Sequence, residues 1–496
     1  MHAMARKGSV RVTALAVVLF VASMPARKDT VTAQSDITLP TYQGYISVAP
    51  GGRYFVDEAG QGFLVIGQND GTPWPGLSPL LSGAAPDATE NYIIDLRAHG
   101  ITVSRVMIEY SQEPHSYLEN PVGTFNPQVV EFWDRFIALA EKHDLYLLLT
   151  PYDTFWQARN WNHYPYNGLA GGPCPAMSDW LTDPACVDAQ KNRWRFIIDR
   201  WGGSPNIFAW DLMNEIDIWW NASPQEIQAY VDEMAAFVRA YETEKWGRAH
   251  MISVSSAAST PGGRLGRVIF NHDALDFANT HLYVGPEIKD PQDPIGAAVM
   301  MAGGVTLALQ AIQDDRPYFD SESGPIDRWI HDVAFDQEYH HNMSWAHLAA
   351  GGAGSGMRWP YSDPHFILPE LRDNLLGLAR FASTIDWAHF SSQNISRLIK
   401  PDTRAVIPVG CSDGQTAVAW LLLDTRRNDA EALAGVDVVI DDVLEAGNYT
   451  VEFWETYEGS LLGTVTLAVA DGDLNLTIPD WGMLLKDLAL IIRPAS

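Results

Sequence analysis

From about residue 60 to residue 390, short apolar runs alternate with amphipathic stretches. Gly62–Gly67 (GFLVIG), Ile101–Ile108 (ITVSRVMI), Leu145–Thr150 (LYLLLT) and Ile207–Met213 (IFAWDLM) read as strands. His250–Ser255, Leu275–His281, Pro317–Ser321 and the region around Gly356–Trp359 read as four more. Leu145–Thr150 is apolar without a break, as expected of a strand buried on both faces. Thr89–His99 has helical spacing and stops at Gly100. Asn126-Pro127 opens a helix that runs to about His143, with Asn as its cap and Pro at its first position. Asp188–Trp201 stops at Gly202-Gly203, and Ser223-Pro224 opens a helix to about Glu244. Further helices are predicted from about Asp327 to Ala350 and from Pro369 to Trp387. Strands separated mostly by helices predict an α/β fold, a parallel sheet closed into a (β/α)8 TIM barrel. The alternative, a doubly wound sheet, usually carries a Gly-rich phosphate loop after its first strand. Here that turn reads Gln68-Asn69-Asp70-Gly71, which lacks the pattern.

After about Asn394 the spacing changes. Ala405–Val409, Thr416–Leu422, Val436–Ile440, Tyr449–Trp454, Leu462–Val469, Leu474–Ile478 and Leu488–Arg493 are short β-like runs between Gly, Asp and Asn turns. They predict a C-terminal antiparallel β-sandwich domain. The expected organisation is therefore a signal peptide over 1–33, a barrel over 34–393 and a sandwich over 394–496.

The first of these segments rests on charge and hydropathy. Arg6, Lys7 and Arg11 precede an apolar run from Ala14 to Met24, and Val31-Thr32-Ala33 offers a small-residue cleavage site. The run is shorter than the roughly 20 residues a membrane span needs. The expectation is a secreted, extracellular or periplasmic protein with no membrane span once the signal is removed. Hydrophobic residues make up 47% of the 496-residue chain, enough for a large core, and the net charge is −28. With Lys and Arg so outnumbered by Asp and Glu, the chain is a poor match for nucleic acid, whose phosphates need basic partners. Among three cysteines, Cys174 and Cys186 share one Gly/Pro/Asp-rich loop; an oxidising compartment could bridge them, and two free thiols are the alternative. Cys411 is left over.

A barrel of this kind carries its active site at the C-terminal ends of its strands. The polar residues there are Asn69 and Asp70, then Arg105 and Glu109, then Tyr152 and Asp153. Asn214-Glu215 follow on the fourth strand, His281 and Tyr283 on the sixth, Asp320-Ser321-Glu322 on the seventh and Trp359 on the eighth. Glu215 and Glu322 thus stand across one barrel mouth. A pair of carboxylates in different surroundings can divide proton transfer from nucleophilic attack, which is what cleavage of a glycosidic bond requires.

Phe208-Ala209-Trp210-Asp211-Leu212-Met213-Asn214-Glu215 resembles the fourth-strand signature of clan A glycoside hydrolases, especially family 5 cellulases and mannanases. Arg316-Pro317-Tyr318-Phe319-Asp320-Ser321-Glu322-Ser323-Gly324 resembles the clan's seventh-strand segment, and His281-Leu282-Tyr283 its His-x-Tyr after strand six. Arg105, Trp359 and the opening Tyr54-Phe55-Val56-Asp57-Glu58 match further pieces, so the likeness covers most of residues 45–390. It implies a retaining β-glycoside hydrolase acting without a cofactor on a β-linked carbohydrate, with Glu215 as acid/base and Glu322 as nucleophile. Arg105 and Tyr283 would stand near the nucleophile, Asn214 would bond the sugar 2-hydroxyl, and His281 and Trp359 would join the substrate site. The family commonly has a His after strand three; here Leu149-Thr150-Pro151-Tyr152-Asp153 leaves that role vacant, or to Asp153 or His163.

Other clusters carry less chemistry. His340, His341 and His347, with Glu338 nearby, fall on a predicted helix without a ligand set at a strand end, so no metal site is expected and a partly exposed helix face is. Trp156, Trp161 and Trp180, with Tyr164 and Tyr166, either wall the cleft or pack the long third loop onto the barrel. A metal-dependent hydrolase and a carbohydrate-binding barrel without turnover are the competing functional classes, and transglycosylation would use the same residues.

Overall fold

The computed structural model describes residues 37–495, apart from 110–116, 219–221, 285–292, 326–332, 361–366 and 471. The expected signal peptide lies outside the described residues. Ile37–Ser496 forms one compact unit.

The parallel strands are β1 (Val65–Asp70), β2 (Val103–Met107), β3 (Tyr146–Thr150), β4 (Ile207–Asp211), β5 (Met251–Ser253 and Ser255–Ser256), β6 (Ala278–Val284), β7 (Tyr318–Pro325) and β8 (Gly354–Arg358). The break at Val254 lets β5 close the ring. Its first half pairs with β4 and its second half with β6. Eight longer helices accompany these strands: α1 (Pro86–Ala98), α2 (Pro127–Lys142), α3 (Pro184–Trp201), α4 (Pro224–Trp246), α5 (Gly263–Asn271), α6 (Pro294–Ala311), α7 (Val333–Ala349) and α8 (Pro369–Ala382). The expected caps form. Asn126 Oδ1 accepts from Gln128 N–H at 3.0 Å, and Ser223 and Glu226 close a reciprocal capping box. The pattern did not single out α6, because an uncharged helix with apolar residues on all sides has no 3.6-residue polar period to detect.

The first barrel strand differs from expectation. The run Gly62–Gly67 is divided between two elements: Gly62–Phe63 pairs with Phe55–Val56 in a small antiparallel sheet, and β1 continues through the polar Gln68-Asn69-Asp70. That sheet plugs the lower end of the barrel. Phe55 and Phe63 meet Phe208, Phe277 and Phe319, all fully buried, with ring centroids 5.0–6.3 Å apart. Burying each such ring contributes about 1.5–3 kcal/mol.

Beyond the barrel lie β9 (Gln393–Asn394), β10 (Ile399–Pro401), β11 (Val406–Ser412), β12 (Ala417–Leu423), β13 (Asp437–Ile440), β14 (Gly447–Glu455), β15 (Ser460–Val469), β16 (Leu474–Thr477) and β17 (Asp487–Pro494). They form two antiparallel sheets, ordered β9-β11-β12-β17-β14-β15 and β10-β13-β16. Strand β12 is apolar throughout because both its faces are covered. Ala417, Ala419, Leu421 and Leu423 face the smaller sheet, whereas Val418, Trp420 and Leu422 join the barrel's core.

The packing of this sheet on α7 corrects one expectation. The histidine face of the helix is buried rather than partly exposed. His341 Nε2 lies 2.8 Å from Asp487 Oδ2 and its ring stacks on Tyr457, while His340 and His347 are also buried.

Candidate active site

Alternation along the strands decides which polar side chains reach the mouth. Asn69, Arg105, Thr150 and Asp211 point inward from β1 to β4 and touch one another. Asp70 faces the helices instead, where it accepts from Tyr92 and Ser104. Glu109 pairs with the buried Arg193 of α3. Tyr152, Tyr164, Tyr166 and Trp180 pack around that same arginine, which lies 4.7 Å over the Tyr166 ring. The third loop is therefore packed onto the barrel at these residues, and a disulfide ties its Cys174 to Cys186, which lies in the first turn of α3 rather than in the loop. Cys411 is free and buried.

Strict alternation would send Glu322 outward with Tyr318 and Asp320, which bond each other and Thr280. A bulge intervenes. In the β6–β7 register Thr280 pairs with Asp320 but His281 pairs with Glu322, so Ser321 is the extra residue. Bulges re-aim side chains in this way, and Glu322 turns into the mouth. On the opposite wall Glu215 follows β4 in the left-handed region, with φ 48°, a conformation that costs an L-residue about 1–2 kcal/mol. Several contacts hold it there. Ser255 Oγ accepts the Glu215 N–H at 3.0 Å, Thr154 Oγ1 donates to the carbonyls of Asn214 and Glu215, and Asp217 accepts from Ser256 Oγ and the N–H groups of Ala257 and Ala258.

Arg105 is the hub. Its guanidinium donates to Asn69 Oδ1 at 3.1 Å, Glu322 Oε1 at 2.5 Å, Asp211 Oδ2 at 2.9 Å and Asn214 Oδ1 at 2.8 Å. Tyr283 donates its hydroxyl to the other Glu322 oxygen. Asn214 Nδ2 donates to Asp153 at 3.0 Å. Asp153 thus occupies the third-strand position, whereas His163 bonds Tyr117. His281 Nδ1 lies 2.8 Å from Glu215 Oε1, with Nε2 3.1 Å from Ser321 Oγ. One oxygen of Glu215, one of Glu322 and a ring nitrogen of His281 all lie within 4.8 Å of one another. Trp359 follows β8 on the same rim. Its N–H bonds Ser323 O, and its ring stands edge-on to Trp74 at 5.2 Å.

No family model matches the chain. It is similar to mannan endo-1,4-beta-mannosidase 4 of Oryza sativa subsp. japonica, at 28% identity over 209 residues, which are 39% of this chain and 43% of the relative. Mannan endo-1,4-beta-mannosidase 1 of Solanum lycopersicum is 25% identical over 282 residues, 48% of this chain and 67% of the relative. The chain spans about half the length of the curated relatives it matches. Among solved structures, a glycoside hydrolase family 5 protein from Bacteroides vulgatus ATCC 8482 superimposes with TM-score 0.58 at 14% identity, over 91% of this chain and 94% of that one. A family 5 mannosidase from Rhizomucor miehei gives TM-score 0.51 at 15% identity, over 69% and 97%. The fold is that of family 5 glycoside hydrolases.

Within this fold the two carboxylates sit in opposite surroundings. Glu322 is clasped by a cation and a phenol. Burial alone would weaken the Arg105 charge, but Glu322 and Asp211 outweigh it and hold the guanidinium above its ordinary range. Burial also keeps the Tyr283 phenol protonated, well above its usual value. Among the described residues no Lys or Arg contacts Glu215; burial first, then the Asp217 charge, push it up to about 7. Burial pushes His281 down to about 4, so its contact with Glu215 is a hydrogen bond to a neutral ring rather than an ion pair. Burial likewise pushes Asp153 up to about 7.

Glu215, His281 and Glu322 are also the side chains, among the described residues, that converge closely enough to offer three atoms to a metal ion. A divalent cation there would meet the Arg105 guanidinium already bonded to Glu322. The geometry thus joins Arg105, Asn214, Glu215, His281, Tyr283 and Glu322 directly, with Trp359 beside them. Asn69, Asp211, Ser255 and Ser321 complete the set. Of these, Asn69 was visible as a strand end and Asp211 as an acid inside an apolar strand, but the two serines had no sequence signal.

Proposed function

We propose that this chain is a secreted retaining β-glycoside hydrolase acting on β-1,4-linked mannan. The observation that carries the reading is the approach of Glu215 and Glu322 within 4.8 Å, combined with their unlike environments. Retaining enzymes hold their carboxyl groups about 5–5.5 Å apart, whereas inverting enzymes leave about 6.5–9.5 Å for a water. In the first step an ionised Glu322 oxygen bonds the anomeric carbon. The glycosidic C–O bond breaks, and Glu215 gives its proton to the departing oxygen. In the second step Glu215 takes a proton from water, the water oxygen bonds the anomeric carbon, and the bond to Glu322 breaks. Arg105 and Tyr283 each bond one Glu322 oxygen and so orient the carboxylate. A raised pKa lets Glu215 hold its proton at neutral pH.

Mannan as substrate rests on the names of the plant relatives, and secretion on the charged and apolar segment over 1–33. The test is hydrolysis of β-mannan beside β-glucans, with the product anomer followed by proton NMR. A β-configured first product and no turnover by Glu322→Ala are expected. An α-configured first product, or an active Glu322→Ala variant, would overturn the mechanism. Fractionation of the native host with N-terminal sequencing tests secretion, and a chain confined to the cytoplasm that still begins at Met1 would reject it.

A further inference from the structure

The seam between β7 and β8 is irregular beside Glu322. At its lower end Ala353 N–H bonds Tyr318 O at 2.8 Å, and at its upper end Trp359 N–H bonds Ser323 O at 3.0 Å. Between them, side chains stand in for the backbone ladder. Asn69 Nδ2 donates to Ser321 O at 2.8 Å from inside the barrel. From outside, His347 of α7 inserts its imidazole. Nε2 accepts the Asp320 N–H at 3.2 Å, and Nδ1 lies 2.7 Å from Gly354 O. A carbonyl only accepts, so Nδ1 carries the hydrogen and Nε2 is bare. Burial agrees, since it pushes His347 down to about 4 and keeps it neutral.

The ring has a made seat. A Cβ on Gly352 would come within 2.3 Å of His347 Cε1, and one on Gly356 within 3.3 Å of Cδ2. The Tyr318 ring stacks on it with centroids 6.2 Å apart. This gives a reason for glycine at two positions of the run Gly351-Gly352-Ala353-Gly354-Ser355-Gly356.

We propose that His347 is a positioning residue for Glu322. Its imidazole replaces a β7–β8 backbone hydrogen bond at Asp320, one residue before the bulge at Ser321, and so fixes the bulge that turns Glu322 into the mouth. The two faces of the device are distinct. Asn69 holds the bulge from the site, and His347 holds it from the helix layer, with no contact to substrate. Displacing a reacting group by about 1 Å can lower a rate by about a hundredfold, which is the scale expected here. The inference rests on the proposed role of Glu322.

The experiment uses the full chain with His347→Phe, His347→Gln and His347→Asn. Phe keeps a flat ring and makes neither bond. Gln keeps an acceptor for Asp320 N–H, and Asn keeps a donor for Gly354 O. Active sites are counted by trapping the glycosyl-enzyme with a 2-fluoro-glycoside, and kcat and KM are measured on mannan. Backbone exchange of the peptide covering 318–325 is followed by mass spectrometry. In His347→Phe, kcat per site should fall by about a hundredfold with KM within about threefold, and exchange over 318–325 should rise. Gln should recover more of kcat than Asn, because it keeps the bond to the nucleophile strand. Variants with a lowered melting temperature but wild-type kcat per site, or with unchanged exchange over 318–325, overturn the proposal. Failure of the wild type itself to be trapped at Glu322 would instead overturn the hydrolase reading, and the exchange measurement would still judge the role of His347 in the seam.

Discussion

Arg105→Met removes a guanidinium that is fully buried and donates to four side chains. The partners do not lose equally. Asp211 keeps Thr150 Oγ1 at 3.2 Å and the Ser255 N–H at 3.0 Å, so it retains two neutral donors but no cation. Glu322 keeps the Tyr283 hydroxyl, with His281 Nδ1 3.5 Å from the same oxygen. Leaving a buried charge without its partner costs about 3–5 kcal/mol, and here two carboxylates lose one shared cation. Urea unfolding should show a loss of at least about 3 kcal/mol with an unchanged slope. Glu322 also loses the donor that holds its Oε1, so kcat should fall with the stability. Arg105→Lys keeps a point charge but cannot fork across both carboxylates and the two amide oxygens. It should therefore recover stability better than rate. An Arg105→Met enzyme within about 1 kcal/mol of wild type, with an unchanged kcat, would refute the account of the hub.

Two further outcomes follow from the buried carboxyls. Glu215 must be protonated for the first step, so kcat/KM should fall as pH rises through about 7. Asp217→Asn, which removes a negative charge beside it, should move that alkaline limb to lower pH; an unmoved limb rejects the role of Asp217. Glu215, Asp153 and Asp320 all stand at about 7 through burial, whereas unfolded carboxyls titrate near about 4. Between those values each of these three groups binds more proton folded than unfolded. Its own contribution to stability is therefore full at the acid end of that window and is lost as pH rises through about 7. The buried His281 and His347, pushed down to about 4, act in the opposite sense, so the carboxyl contribution is read by difference: the melting temperature at pH 5 minus that at pH 8 should be smaller in Asp320→Asn than in wild type, and equal differences by calorimetry would contradict it.

Much of this was legible because the barrel writes its strands as apolar runs and its mouth as the polar residues that end them. Glu215 and Glu322 were placed from that rule and from the motifs around them. What escaped was whatever depends on backbone detail. The run GFLVIG carries no mark of its division between the bottom plug and β1. Strict alternation would have turned Glu322 away from the mouth, and only the extra residue at Ser321 explains why it faces inward. The α7 histidines were expected on a partly exposed face, since nothing in the helix itself announces the sheet that covers it. Trp180, Tyr164 and Tyr166 had the composition of a sugar-binding wall, but Tyr166 closes on the fully enclosed Arg193, and Trp180 packs on the tyrosines around it.

Strand β12 gives alternate side chains to two different cores. A module that docks glycans by itself needs a bare sheet surface and a tether that lets it be cut out and pasted elsewhere. The larger C-terminal sheet instead lends Trp420, Trp454 and Ile491 to the barrel's own interior. Barrel and sheets therefore share one continuous core. A recombination joint near residue 394 would strand apolar surface on both fragments, and chimaeras of this chain with other barrels should succeed only when α7 travels with its sheet.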